Sequence, residues 1–161
     1  KFNHIENTPD EEAADERLIH TSKVVFHTPN SEEEIHSMFS ALLDGGYIAA
    51  DTTFAAFKGI FDETEFERPI VWMKTQSRLM YFVHLAFKPH NPYDVWVKCM
   101  NCFRLQNGKI PNRESMDSNF RFIVKKGLLE TYDIRLKTIA DNYLSSKEKD
   151  TASSMEVSVS T

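Results

Sequence analysis

Apolar positions in the middle of this chain recur at helical rather than strand spacing. Ile35, Met38, Phe39, Leu42 and Leu43 follow one another at three- and four-residue steps behind Ser31 and Glu34, a capping-box pair. That pattern predicts a helix, and Gly45 and Gly46 stop it. Phe54, Phe57, Ile60 and Phe61 form a second stripe with Asp51 or Thr52 as its cap, so the two segments read as a helical hairpin. "RPIVWM" at 68–73 is short and β-branched, and reads as a brief strand or an extended segment. The stretch 75–87 is apolar on nearly every side after Leu79, the mark of a central helix covered by its neighbours.

"KPHNP" then breaks the helix, since its two prolines and an asparagine cannot continue it. Trp96, Cys99, Met100 and Phe103 resume helical spacing. In "LQNGKI" the Asn107-Gly108 pair tolerates positive φ, so a small β-hairpin or a bare loop is expected around 104–110. Asn112 or Ser115 can cap a helix bearing Met116, Phe120 and Ile123, which ends near Gly127. A last helix carries Leu129, Tyr132, Leu136, Ile139, Ala140 and Tyr143 on one face. The pattern therefore predicts a mainly α, single helical domain of about six helices over residues 23–144, with a small β-hairpin or extended segment. An acidic mobile arm at 1–22 precedes it and a polar tail at 145–161 follows, both rich in charge and poor in apolar stripe.

Composition adds little to this except through charge. The 161 residues include 12 Phe, enough large apolar area for a core without covalent staples. The two cysteines, Cys99 and Cys102, cannot cross-link distant parts of the chain, which points to a reducing compartment, the cytoplasm. "LMYFVHLAF" at 79–87, the longest nearly apolar run, is about half of the ~20 residues a membrane span needs, so no membrane is expected. The chain begins with Lys, and targeting is unreadable.

The charge is divided unevenly. Residues 1–67 hold 15 acids and 4 bases, net −11, whereas 68–149 hold 7 acids and 15 bases, net +8. Asymmetry of this kind points to nucleic acid or another anionic surface. The densest basic group is Arg104, Lys109 and Arg113 around the turn with Arg121, Lys125 and Lys126 on the following helix. As phosphate contacts they would release counterions and bind DNA with steep salt dependence and little sequence information. If that helix lies in a groove with the hairpin against the backbone, the arrangement is a winged helix. The competing readings are a surface neutralised within the chain, starting with Asp117 four residues before Arg121, and a protein–protein interaction module that never touches DNA.

Catalytic and metal chemistry find less support. Cys99-Met100-Asn101-Cys102 has C-x-x-C spacing, and His84 and His90 lie upstream, but Trp96, Met100 and Phe103 place Cys99 on the buried stripe of a helix rather than on a metal-binding turn. His4, His20, His27 and His36 show no H-E-x-x-H spacing, the five glycines form no phosphate loop, and no serine stands in a nucleophile elbow. Glu32, Glu33 and Glu34 occupy a helix first turn, where the dipole favours them. No enzyme, cofactor or metal is expected, and a small-molecule ligand is left open.

The order of "LLDGGYIAAD", "FKGIF", "PIVWMKTQSRLMYF" and "CFRLQNGKIP" resembles the RteC-type regulators and related helical proteins of conjugative transposons and other mobile elements, over roughly residues 35–125. The resemblance implies a helical, winged-helix-like transcription regulator that binds DNA and does no chemistry, with the basic group as its contact surface. The acidic arm departs from what a simple DNA binder needs.

Overall fold

In the computed structural model, which describes residues 24–145, the apolar run after Leu79 lies at the centre of everything else. The element order is α1 (Glu32–Asp44), α2 (Phe54–Gly59), β1 (Ile70–Trp72), α3 (Gln76–Ala86), a 3-10 turn (Lys88–His90), α4 (Val95–Cys102), β2 (Phe103–Leu105), α5 (Arg113–Lys125) and α6 over 134–145. The domain is mainly helical, as the periodicity predicts. The arm at 1–22 and the tail from 146 onward lie outside the described residues.

Leu79, Met80, Tyr81, Phe82 and Val83 of α3 are all fully buried, so every side of this helix is covered. Trp72 of β1 stacks on Phe82, with ring centroids 6.0 Å apart, and its indole N–H donates to the Thr75 carbonyl at 3.0 Å. Phe26 packs against Phe87, while Phe61 and Phe103 close the same aromatic cluster. The side-chain amide of Asn91 joins this part together: it donates to the His27 and Phe87 carbonyls and accepts from the His27 N–H and the Lys98 ammonium. All four partners of a residue only 2% exposed are thereby accounted for, as a buried amide requires.

Local chemistry explains the element ends. Ser31 and Glu34 form the expected capping box at α1, with the Ser31 N–H donating to Glu34 Oε1 at 2.8 Å and the Glu34 N–H to Ser31 Oγ at 3.3 Å. Gly46, at φ 73°, closes the helix as a Schellman motif, because its N–H reaches the Leu43 carbonyl and that of Tyr47 reaches Leu42. Gly127, at φ 70°, ends α5 in the same way, with N–H groups of Gly127 and Leu128 bonded to Val124 and Ile123. Thr53, rather than Asp51 or Thr52, caps α2, and Asn112 rather than Ser115 caps α5.

Of the hairpin and the extended segment that the pattern allows, the extended form is present. β1 and β2 pair in parallel, Ile70 opposite Phe103, so the small sheet is not a hairpin. The Asn107-Gly108 turn forms, with Gly108 at φ 84° and the Leu105 N–H bonded to the Lys109 carbonyl, but the strand leading into it spends its ladder on β1 instead. The other edge of β1 takes residues 47–49 through an antiparallel bridge between Ile48 and Trp72. The described residues show no antiparallel strand pair beside α5 that would serve as a wing.

The last helix also starts later than its apolar spacing suggests. Asp133 accepts the Leu136 N–H at 3.1 Å as its cap, which leaves Leu129 and Tyr132 in the preceding turns. Tyr81 holds that segment by donating to the Leu129 carbonyl at 2.6 Å. Asp133 further pairs with Arg78 of α3 at 3.0 Å and accepts from the Tyr47 hydroxyl at 2.9 Å. Burial and this carboxylate push the Tyr47 phenol up to about 12.

Asp133 thus joins α3, α6 and the segment after α1 through one side chain that is 12% exposed. Replacing it by Ala is expected to cost about 3 kcal/mol, since it removes a helix cap and leaves a partly buried guanidinium unpaired. Arg135→Ala breaks only the exposed pair with Asp44 and should cost under about 1 kcal/mol. Urea unfolding of the two variants checks the contrast, and equal losses would remove Asp133 from its central place.

Candidate nucleic-acid interface

The basic group gathers around α5, and α5 is held from beneath. Met116 and Ile123 are buried under it, with Met116 Sδ 3.8 Å from the Cys99 thiol of α4. Phe120 stacks on the His84 ring of α3 at 3.4 Å between centroids, and Trp96 lies beyond at 6.1 Å. The start of the helix is fixed by the Asn112 N–H, which donates to the Gln76 side chain at 2.9 Å. This docking leaves Glu114, Asp117, Arg121 and Lys125 along the outward ridge, all exposed.

The six cations expected to meet phosphate take different roles. Arg104 turns back on its own chain: its guanidinium donates to the Met100 and Phe103 carbonyls, both at 2.7 Å, and so satisfies the C-terminal end of α4. Arg121 pairs with Asp117 at 3.4 Å, as their four-residue separation predicts. Lys109, Arg113, Lys125 and Lys126 are exposed and make no ion pair with any described residue. Lys126 lies 5.7 Å from the centre of the Phe122 ring.

These side chains are spread along the length of α5 rather than gathered at one place. Lys109 and Arg113 stand at the N-terminal end of α5, and Arg121, Lys125 and Lys126 at its C-terminal end, roughly 18 Å away along a helix rising 1.5 Å per residue. Glu114 and Asp117 lie between them. The order of acid before base along the ridge also complements the helix dipole.

The two cysteines have become core. Cys99 and Cys102 are fully buried, and burial raises both thiols well above their ordinary range, which suppresses the thiolate. Among the described residues, no three His, Cys, Asp or Glu side chains are grouped so as to hold a metal. No helix of the described residues is long and apolar enough to cross a membrane.

Two surface features escape the sequence pattern. Phe122 and Val124, 56% and 49% exposed, flank the ridge of α5. Their signal was their position off the stripe of Met116, Phe120 and Ile123. The other feature is a cleft of about 540 Å³ at the opposite charge pole, where Glu32, Glu65 and Glu67 rim the half-buried Phe54 and Phe66. Lys58 sits in it, 2.6 Å from Glu32 and 3.6 Å from Glu65, and its hydrogen bond holds the Glu32 carboxyl below its ordinary value. Lys58 is the lone base between residues 24 and 67, which is its trace in the sequence.

Comparisons with protein families, with curated proteins and with solved structures find no match to this chain.

His84 couples the seating of α5 to pH. Burial, and then the neighbouring Lys88 ammonium, lower its pKa from 6.5 to about 4, and its Nδ1 is buried without a hydrogen-bond partner. The unfolded chain therefore takes up a proton that the native ring refuses. Stability should be fully present above about pH 6.5 and lost as pH falls towards 4. Urea midpoints at pH 7 and pH 4.5 check this: His84→Leu should show a smaller drop than the parent chain, and an equal drop would assign the acid sensitivity elsewhere.

Proposed function

We propose that this domain is a non-enzymatic, nucleic-acid-associated regulatory protein that meets DNA through its basic C-terminal half, consistent with the resemblance to mobile-element regulators. The observation that carries the reading is the set of uncommitted cations, Lys109, Arg113, Lys125 and Lys126, at the two ends of one exposed helix. Cations already paired within the fold gain less from a phosphate than cations whose counter-charge is solvent. Contacts of this type orient the protein on a duplex and do not read base edges. Sequence preference would have to come from the polar and apolar side chains between them.

A second reading, a protein-interaction module without DNA contact, is favoured by Phe122 and Val124. A phosphate-binding ridge has no use for a half-exposed phenylalanine, whereas a protein interface gains from one.

The expected behaviour of the first reading is measurable by fluorescence anisotropy of a labelled duplex. Four phosphate contacts should weaken binding about a hundredfold between roughly 50 and 200 mM salt. Lys125→Ala with Lys126→Ala should weaken binding alike on unrelated duplexes and lower the salt slope by about two contacts. Arg104→Ala should reduce stability and leave the slope unchanged. Absence of binding at the lower salt would turn the assignment to the protein-interaction reading.

A further inference from the structure

The two surface features that the sequence pattern hides fit each other chemically. On α5, Phe122 is 56% exposed with the Lys126 ammonium 5.7 Å from its ring centre, and the exposed Arg121 and Lys125 belong to the same end of the helix. In the cleft of about 540 Å³, the aromatic walls Phe54 and Phe66 lie within the carboxylates Glu32, Glu65 and Glu67. One is an aromatic knob beside cations, and the other is an aromatic-walled recess ringed by anions. Lys58 neutralises one of the three carboxylates and leaves the recess anionic.

The same division holds across the folded domain. Residues 24–67 carry 9 acids and 1 base, and residues 68–145 carry 6 acids and 13 bases. The described residues thus sum to nearly neutral, at −1, with the two signs divided unevenly along the sequence, and a net charge near zero favours association over mutual repulsion. α5 packs on α3 and α4, whereas α2 packs on α1, and Phe122 stays exposed rather than filling the cleft of its own chain.

We propose that the occupant of the cleft is α5 of a second copy of this chain, so that the protein self-associates head to tail. The contact is heterologous: knob and recess are different surfaces, and each copy that docks still offers one of each. Growth therefore runs to short open chains or a closed ring rather than stopping at a symmetric pair. Because the rim is charged and solvent-exposed, salt weakens the contact, while the buried aromatic contributes the part that salt leaves. Polyanions that occupy Lys125 and Lys126 compete with it. The inference stands apart from the nucleic-acid reading, since it requires the acidic pole as well as the basic one.

Sedimentation of the full chain tests it, with the weight-average mass followed over a hundredfold range of concentration at about 50 and 500 mM salt. The expected result is a mass that rises with concentration beyond a dimer at the lower salt and falls at the higher. Lys125→Glu with Lys126→Glu, and separately Glu65→Lys with Glu67→Lys, should each weaken association at least tenfold. Mixing the two variants should restore it, because every pole then has an opposite partner. Phe122→Ser should weaken association at both salts, with an unchanged thermal unfolding midpoint to show that the exposed position was not needed for folding. A monomer at all concentrations, a closed symmetric dimer, or a mixture that fails to recover would each overturn the proposal. Duplex binding separates this from the other reading: the Glu65 and Glu67 variant should lose association and keep DNA affinity, whereas the Lys125 and Lys126 variant should lose both.

Discussion

A helix that is apolar on every side has no face to give to water, and this single constraint organises the domain around α3. Each of its sides needs a different cover. Trp72 of β1 stacks on Phe82, the turn before α6 reaches Tyr81 through the Leu129 carbonyl, α5 lays Phe120 on His84, and Phe26 closes the end at Phe87. The covers come from distant parts of the chain, so their mutual positions are set by what they share beneath them. Asn91 and Asp133, the polar groups that join the covers, are paired almost completely, whereas the buried Nδ1 of His84 and Oδ1 of Asn101 have no partner.

The function of such a fold lies on the outer faces of the covers, and there charge is the main variable. Residues 24–67, which hold α1 and α2, are acidic in sum, and residues 68–145 are basic in sum. Within the basic stretch, however, several cations serve the structure itself. Arg78 binds Asp133, Arg104 satisfies helix carbonyls, and Lys137 is shared by Glu130 and Asp141. Counting residues of one sign therefore overstates the surface available to a partner. Among the cations left over are those at the two ends of α5, beside its exposed aromatic.

The parts legible in the sequence were those decided within a few residues. The capping box at Ser31 and the glycines closing α1 and α5 behave as their local chemistry requires, and the apolar stripes mark the buried sides of α1, α3 and α5. Partner choice over longer distances was not legible. Nothing near Phe103 says that its strand will seek Ile70 rather than fold back across the Asn-Gly turn, since that choice depends on where α3 and α4 deliver it. Likewise, Leu129 and Tyr132 keep helical spacing with Leu136, yet Asp133 caps the helix after them because Arg78 and Tyr47 hold it there. In the candidate site, the positions of the six cations were visible, but the turning back of Arg104 onto carbonyls was not.

The parallel sheet carries a consequence for the order in which this domain folds. Its three paired positions join residues 33 apart, with α3 and α4 between them, so the ladder offers no reward until that long loop has been closed. A hairpin at Asn107 and Gly108 would have zipped from its turn at little entropic expense. Here the β1–β2 bonds require α3 and α4 to have brought the strands together, which on entropic grounds favours a latch on assembled structure over a nucleus for it.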